Sequence, residues 1–379
     1  MGARRNRSTE TALETIIDAV HTVWDCGRGN IASLLSLDVA GAFDNVSHRR
    51  LIHNLRCKGI PRYIIGWTES FLAERSSSIT IRGMTSGIEP VEIGIPQGSP
   101  ISPILFLFFN APLIEECVAA KLQLQVGGFV DDIHLLAYGK TTEGNCKTLE
   151  LAHEICLKWA STHGASFAPQ KYELVHLTRC PRRFNMGAVV NLGHAITKPQ
   201  TEIRVLGLHI DGKLRWGPHL KRVQAKLATQ SLALSMTTAS TWGATLSRAR
   251  KVYSAIVRPA MTYASALWHI PRGLRDTKKT HVRKLEVIQN NCLRRVLGAY
   301  KATSTRVLEA ESGIAPMQLT LDHSVLRRHA LKGIHPVTVI GNMRIRRKLN
   351  AKRGRRREVA KSPAEEKNKW ALRSLRLDD

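Results

Sequence analysis

The chain has 379 residues and a formal net charge of +27 at pH 7. That surplus excludes an acidic solvating protein, and an apolar fraction of 43% excludes a wholly disordered one. A chain of this length accommodates roughly two to three domains. Because so basic a chain collects polyanions, nucleic acid is the first partner to consider and an anionic membrane surface the second.

The compartment is predicted from apolar stretches and cysteines. The longest apolar stretch, residues 101–114, contains Asn110 and Pro112 and is shorter than the ~20 residues of a spanning helix, so we expect a buried core segment and no membrane partner. The N-terminus lacks the apolar region of a secretory signal. The seven cysteines are scattered without CxxC or zinc-ligand spacing. We therefore expect an intracellular protein, cytoplasmic or nuclear, in a reducing compartment.

The pattern of apolar residues changes along the chain. Residues 31–212 alternate β-like apolar runs with amphipathic helical stretches, which predicts an α+β layer with helices packed on a sheet. Residues 213–320 contain one helical pattern after another and predict an all-helical second unit. Residues 321–379 carry a net charge of +11, with nine basic residues among the fourteen at 344–357. This segment is predicted to be a disordered tail that contacts nucleic acid loosely or carries a nuclear import signal.

Carboxylates stand at the ends of predicted strands. Asp38 ends an apolar run, and Asp131 and Asp132 lie between two apolar arms, as in a hairpin turn. An isolated Asp pair is more simply explained by turn geometry. Strands carrying Asp38 and Asp131 can lie side by side, however, and gather carboxylates around two divalent ions ~3.5–4 Å apart. Mg²⁺ prefers such oxygens, so these three aspartates and the Val39 carbonyl are the predicted ligands, with Mn²⁺ as a substitute.

Several segments match a known set of motifs in order. SLDVAGAFDNVSHRRL, GIPQGSPISPILFLFFN and FVDDIHLL resemble the first palm motif, the GVPQGSPLSPLLF stretch and the F/Y-x-D-D box of reverse transcriptases of non-LTR (LINE-like) retrotransposons. GIPRYIIGWTESFLAERS is similar to the segment that links palm motifs in these enzymes. ASFAPQKYELVHL resembles the next motif, RVLGLHIDGKLRW the primer-grip hairpin, and the segments YASALW and IQNNCLRRVLG the thumb. The resemblance covers about residues 1–320, and IPQGSPISP is its most specific part.

The resemblance implies a right-hand polymerase fold. Residues 31–212 would form the palm, an antiparallel sheet with packed helices, with an inserted fingers segment. Residues 1–30 would be a remnant of the fingers, 213–320 a helical thumb-like domain and 321–379 the basic tail. The implied function is RNA-directed DNA polymerisation on an RNA template and a DNA primer, with deoxynucleoside triphosphates as substrates.

Site residues follow from the same resemblance. Asp38, Asp131 and Asp132 would be the catalytic metal ligands, and Lys171 would steady or protonate the leaving pyrophosphate. Phe43 matches the position whose ring lies beneath the incoming sugar and disfavours a 2′-hydroxyl; otherwise it is a core residue. Two further residues, Gln97 and Gly98, match the loop that packs against the nascent pair and template; otherwise they form a surface turn.

Three nearby polar residues are interpreted as structural. Asp44 and Asn45 are predicted to cap the helix that begins near Ser47. His134 is predicted to be a packed strand residue rather than a ligand.

The sequence also departs from the family pattern. Only 37 residues precede Asp38, fewer than a full fingers region, and endonuclease, ribonuclease H and Cys/His-knuckle segments are not found in the sequence. Two hypotheses therefore stand: an active polymerase core, or a catalytically inactive truncated relic that only binds nucleic acid. A group II intron or retron-type reverse transcriptase is a third assignment, which the thumb helices disfavour.

Overall fold

The structure, a computed structural model, describes residues 4, 6–26, 29–193, 195–238, 243–271 and 279–332. The basic run at 344–357 lies outside the described residues. The chain divides into two units, residues 1–214 and 215–379.

The first unit contains strands and helices in alternation. Its strands are β1 (Ile31–Ala40), β2 (Ser76–Ser77), β3 (Thr80–Ile81), β4 (Met84–Thr85), β5 (Glu89–Pro90), β6 (Leu124–Phe129), β7 (Asp132–Gly139), β8 (Ser166–Phe167), β9 (Glu173–Leu177), β10 (Val190–Asn191), β11 (Ile196–Thr197), β12 (Glu202–Val205) and β13 (Leu208–Asp211). Its helices are α1 (Thr9–Cys26), α2 (His48–Cys57), α3 (Arg62–Leu72), α4 (Ser102–Ala119) and α5 (Thr142–His163). The expected mixture of helix and sheet is confirmed.

Strand β1 is the centre of a five-stranded antiparallel sheet. It pairs with β7 on one edge and with β8 and β9 on the other, and β6 pairs with the far edge of β7. Leu35, Leu37 and Val39 point into a core shared with α2, α4 and α5. Since side chains alternate along a strand, the even-numbered residues of β1, Asp38 among them, belong to the opposite face.

Helix α4 is one of the helices that pack into this core. By length and composition it is the one helix among the described residues that could cross a membrane, and such a helix is equally typical of a buried core. The helix continues through Asn110 and Pro112. Its buried side chains belong to the core cluster: Leu105, Phe106, Phe109, Leu113 and Cys117. The interpretation of this segment as a core helix agrees with that burial.

The described part of the second unit is helical. Its helices are α6 (Gly217–Met236), α7 (Leu246–Val252), α8 (Arg258–Thr262), α9 (Ser265–Trp268), α10 (Lys279–Leu297), α11 (Thr305–Ser312) and α12 (Met317–Leu331), with a π-helical turn at Tyr253–Val257 between α7 and α8. The helical pattern at 246–268 is divided because Ala264 adopts a left-handed backbone conformation, with φ of 52°.

The predicted start of the disordered tail at residue 321 is wrong. Helix α12 continues to Leu331, because Leu321 and Val325 are buried together with Met317. These three residues recur every four positions, which aligns them on one face of the helix.

Phe109→Ala is expected to lower the free energy of unfolding by about 3–5 kcal/mol, because it opens a cavity in the core. The Phe109 ring contacts Trp159 and His163, with ring centroids 5.6 and 5.5 Å away. Urea denaturation monitored by circular dichroism measures the loss. Phe108→Ala, which truncates the half-buried neighbouring ring, is the matched control and should cost clearly less. Equal losses would contradict this account of the core.

Candidate active site

The register between β1 and β7 brings two of the predicted aspartates together. Asp38 is the direct cross-strand partner of Asp132. Directly opposed residues in an antiparallel pair project from the same face of the sheet, so both carboxylates lie on one face. Asp131 lies in the two-residue turn between β6 and β7, where Phe129 pairs with Asp132. The predicted hairpin with adjacent carboxylates is therefore present, and Asp132 rather than Asp131 stands directly opposite Asp38.

The turn that carries Asp131 has a strained backbone. Val130 adopts φ of 57°, which is unfavourable for a β-branched residue and costs of order 1–3 kcal/mol. The six residue pairs between β6 and β7 hold the turn closed, and Asn110 Nδ2 donates a hydrogen bond of 3.4 Å to the Val130 carbonyl oxygen. Helix α4 therefore supports the turn from the core side.

The carboxylates repel one another, and cations partly compensate for the repulsion. Burial, followed by the negative charges of Asp131 and Asp38, raises the pKa of Asp132 to about 6. Arg204 on β12 acts in the opposite direction on the same carboxylate. Lys171 Nζ lies 2.9 Å from Asp38 Oδ2, and this hydrogen bond raises the pKa of Lys171.

Lys171 is positioned by the chain that follows β8. Strand β8 pairs with the end of β1, and the Ala168 amide donates a 3.0 Å hydrogen bond to the Asp38 carbonyl oxygen. A 3₁₀ turn at Pro169–Lys171 then directs the lysine back to the Asp38 carboxylate. The predicted lysine therefore contacts the predicted first metal ligand.

The predicted metal ligands were tested against this geometry. No group of three or more His, Cys, Asp or Glu side chains has converged as a metal site among the residues the structure describes. The donors nevertheless fit a hard divalent cation, which prefers carboxylate oxygens. The negative charges of these carboxylates also repel one another, and the nearby cations do not fully offset that repulsion. The Val39 carbonyl also fits. The Asp38 carbonyl points toward β8, where it accepts a hydrogen bond from the Ala168 amide. Because successive carbonyls of a strand point to opposite edges, the Val39 carbonyl points toward β7.

Phe43 lies in the turn that follows β1. Its ring is half-buried and stacks on the Phe106 ring of α4, with centroids 5.3 Å apart and planes inclined by 22°. The ring therefore belongs to the edge of the core and is also partly open to solvent. Both the structural and the functional interpretation of Phe43 agree with this position.

The loop at 94–98 packs against the same turn. The Ile95 amide donates to the Phe43 carbonyl and the Gly94 amide to the Val46 carbonyl, each at 2.8 Å. Gly94 has φ of 82°, and a Cβ there would stand 2.5 Å from the Asp44 carbonyl oxygen, so glycine is required. Gln97 and Gly98 at the end of this loop are exposed.

Asp44 contacts the loop of Gln97, and its predicted capping role is wrong. Its Oδ1 accepts a 3.0 Å hydrogen bond from Gln97 Nε2. The cap of α2 is Ser47, whose side chain accepts from the Arg50 amide. Asn45 does not cap the helix either, because its Nδ2 donates to the Ala40 carbonyl at 3.1 Å. Both side chains have other hydrogen-bond partners in the fold, and the sequence pattern did not reveal them.

Comparison with known proteins decides the family. Residues 1–210 match the family described as reverse transcriptase (RNA-dependent DNA polymerase). The chain belongs to the reverse transcriptase family. Its relatives include the RNA-directed DNA polymerase from mobile element jockey of Drosophila funebris, 24% identical over 79% of this chain and 32% of the relative. The probable RNA-directed DNA polymerase from transposon BS of Drosophila melanogaster is 26% identical over 78% of this chain and 32% of the relative.

These similarities support a LINE-like reverse transcriptase, and the chain spans about a third of the length of these relatives. Among solved structures, telomerase from Candida albicans in complex with a TWJ fragment of telomeric RNA aligns over 86% of this chain and 51% of its own. The identity is 12% and the TM-score 0.40. A likeness at this level supports no functional inference.

Arg204 is a site residue of this reverse transcriptase that sequence reasoning missed. Its backbone amide donates to Glu173 Oε2 at 2.9 Å, and its charge acts on Asp132. The hairpin of β12 and β13 was recognised in the sequence, but its position over the aspartates depends on the tertiary fold.

The structure also places His134. It is buried on β7, its Nδ1 lies 3.3 Å from Ser36 Oγ, and burial lowers its pKa to about 4. It is a packed strand residue, as interpreted from the sequence.

Asp132→Asn is expected to stabilise the reverse transcriptase above pH 6. The pKa of Asp132 is about 6 in the folded chain and near 3.8 when unfolded, so the folded protein binds more protons between these values. Its stability therefore falls as the pH rises through this window. We expect the substitution to add about 1–3 kcal/mol at pH 7.5 and close to nothing below pH 4.

Urea unfolding with a metal chelator at both pH values measures this difference. Glu154→Gln, which removes an exposed carboxylate of α5, is the control for a change of one charge and should show no such gain. A stability gain for Asp132→Asn that does not depend on pH would contradict the electrostatic account.

Proposed function

We propose that the chain is an RNA-directed DNA polymerase that extends a DNA primer on an RNA template with deoxynucleoside triphosphates. The observation that carries this proposal is the pairing of Asp38 with Asp132 next to the Asp131 turn, in a member of the reverse transcriptase family. In this proposal residues 31–212 correspond to the palm, with an inserted fingers segment, and 213–320 to the thumb of a right-hand polymerase.

Asp38, Asp131 and Asp132, with the Val39 carbonyl, are the residues proposed to hold Mg²⁺ or Mn²⁺. When bound, these ions would lower the pKa of the attacking 3′-hydroxyl and neutralise charge on the leaving pyrophosphate. The repulsion that raises the pKa of Asp132 supports this assignment, because a divalent cation would relieve it.

Lys171 is proposed to serve the triphosphate. Asp38 raises its pKa, so the ammonium group keeps its proton at neutral pH. A protonated lysine beside the carboxylates can hold a phosphate oxygen and supply the proton that the departing pyrophosphate takes up. Its side chain is exposed and therefore accessible to a nucleotide.

Phe43 and the loop of Gln97 and Gly98 are proposed to bind the nucleotide and its template partner. Phe106 holds the Phe43 ring from behind, so the ring cannot easily recede from a bulkier sugar. The Gln97 side chain is held by Asp44, and Gly98, with φ of 90°, leaves the loop surface free of side-chain bulk. We also propose an intracellular, reducing location, because the seven cysteines are scattered in the sequence without paired or zinc-ligand spacing.

Primer extension tests the polymerase directly. We expect the full chain to extend oligo(dT) on poly(rA) with Mg²⁺ or Mn²⁺. Asp38→Asn and Asp132→Asn should each lose at least about a hundredfold in rate, since each removes a carboxylate proposed to hold the ions. Glu154→Gln is the control for a change of one charge and should retain full activity. Wild-type synthesis no faster than that of Asp38→Asn would contradict the polymerase and favour the inactive relic.

Selection of the sugar tests Phe43. Phe43→Val should raise incorporation of UTP relative to dTTP by about tenfold or more, because it removes the bulk that a 2′-hydroxyl would meet. The ratio of the two kcat/KM values measures the effect. Phe43→Tyr keeps the bulk and should retain the wild-type ratio. An unchanged ratio for a folded Phe43→Val protein would assign the ring to the core alone.

A further inference from the structure

Helix α3 presents aromatic residues to solvent. Its buried side chains, Ile65, Thr68 and Leu72, lie on one face. Tyr63 and Trp67 lie one turn apart on the opposite face, with side chains 76% and 52% exposed. An aromatic pair directed away from the core contributes little to folding, so this face indicates a partner.

The Trp67 ring is held in a fixed plane. It stacks on the Phe71 ring with centroids 5.3 Å apart and planes inclined by 10°. Phe71 is itself partly buried against the core. Gly66, on the same exposed side of the helix, adds no side-chain bulk beside the rings, and a Cβ there would meet no atom within 4 Å. The outward face therefore carries two exposed rings, of which Trp67 is braced from the core through Phe71.

The helix pair that carries this face is basic. Residues 48–72, which span α2 and α3, contain five Lys or Arg and one Asp or Glu. That single acidic residue, Glu69, forms a 2.7 Å ion pair with Arg56. All five basic residues are exposed: Arg49, Arg50, Arg56, Lys58 and Arg62. Flat rings on a basic pair of helices match the alternating bases and phosphates of a nucleic acid.

The aromatic rings also indicate which form of nucleic acid binds. In a duplex the faces of the bases are already stacked, so side-chain rings have access to them only in a single strand. We propose that the Tyr63–Trp67 face of α3 is a stacking platform for single-stranded nucleic acid. This inference rests on the proposed function in one respect, namely that it identifies the strand as unpaired template.

The platform is joined to the candidate active site by hydrogen bonds. His48 Nε2, at the start of α2, lies 2.7 Å from the Gly94 carbonyl oxygen. Arg75, which follows α3, donates to the same oxygen at 2.8 Å. The loop that ends in Gln97 and Gly98 is therefore held between the beginning of α2 and the end of α3. A strand on the platform would lie in the same unit as the carboxylates.

Binding without synthesis tests the platform. Fluorescence anisotropy of a labelled 12-nucleotide oligo(rU), with a chelator and without nucleotides, measures the affinity of the full chain. Tyr63→Ala combined with Trp67→Ala should weaken binding by about tenfold for each ring removed. The same variant should bind a 12-base-pair RNA duplex as the wild type does. Leu151→Ala, an apolar residue of α5 that is 50% exposed, is the matched control and should change neither affinity.

Conservative variants separate stacking from simple hydrophobic contact. Trp67→Phe should keep most of the single-strand affinity, whereas Trp67→Leu, which retains apolar bulk without a flat ring, should lose it. Arg62→Ala should lower the slope of log affinity against log salt by about 0.7, the value for one phosphate contact on a single strand. Urea unfolding of each variant shows that the fold is intact.

Two results would overturn the platform. One is single-strand affinity that the double variant leaves unchanged. The other is a wild-type chain that self-associates in sedimentation while the double variant is monomeric with unaltered RNA affinity, which would make this face a protein interface. Asp38→Asn should bind oligo(rU) normally, so a failure of synthesis leaves the platform standing. Unchanged binding by the double variant, combined with normal synthesis, removes the platform alone.

Discussion

The pairing of β1 with β7 is the constraint on which the site depends. Eight residue pairs fix the register that sets Asp38 opposite Asp132. A slip of one residue would move every side chain of one strand to the other face, taking Leu37 out of the core and turning the Asp38 carboxylate into it. The burial of this leucine also specifies the position of the aspartate. The same strand pairing therefore determines both the packing of the core and the geometry of the site.

The unfavourable features of the site lie at the open end of this sheet. Two carboxylates oppose each other, Val130 holds a strained turn, and Asn110 leaves its Oδ1 without a partner among the described residues. Each feature lowers stability, and each lies within the hairpin or against it. Lys171 and Arg204 offset the charge in part. Such a concentration of cost is typical of a site selected for binding rather than for stability.

The local elements of this fold were predictable because each has a short-range cause. The continuous apolar run of β1, the two arms around Asp131, and the helical spacing of α5 all appear in the sequence as the structure has them. Lys171 was assigned to the site by family resemblance, and the structure places it against Asp38, 133 residues earlier in the chain. Periodicity alone would not have joined them.

What escaped prediction depends on contacts between distant segments. Asp44 fits a helix cap in sequence, yet Gln97 lies close enough in space to donate a hydrogen bond to its carboxylate. Arg204 lies on a hairpin whose placement the strand pattern does not specify. The end of α12 was misplaced because a high density of charge was given more weight than the buried spacing of Leu321 and Val325. In each case a tertiary contact prevailed over a local preference.

The positive charge of the chain explains attraction to nucleic acid but not the choice between its single-stranded and double-stranded forms. A surplus of basic residues attracts any polyanion and falls off over a Debye length of ~8 Å at physiological salt, so charge alone does not choose between single and double strands. Rings can choose, because they need the face of an unpaired base. The proposed platform of Tyr63 and Trp67 would therefore add what the net charge lacks, a preference for the form of the nucleic acid. An RNA-directed polymerase, the function proposed for this chain, would use that preference, since its template must be unpaired before it pairs with the product.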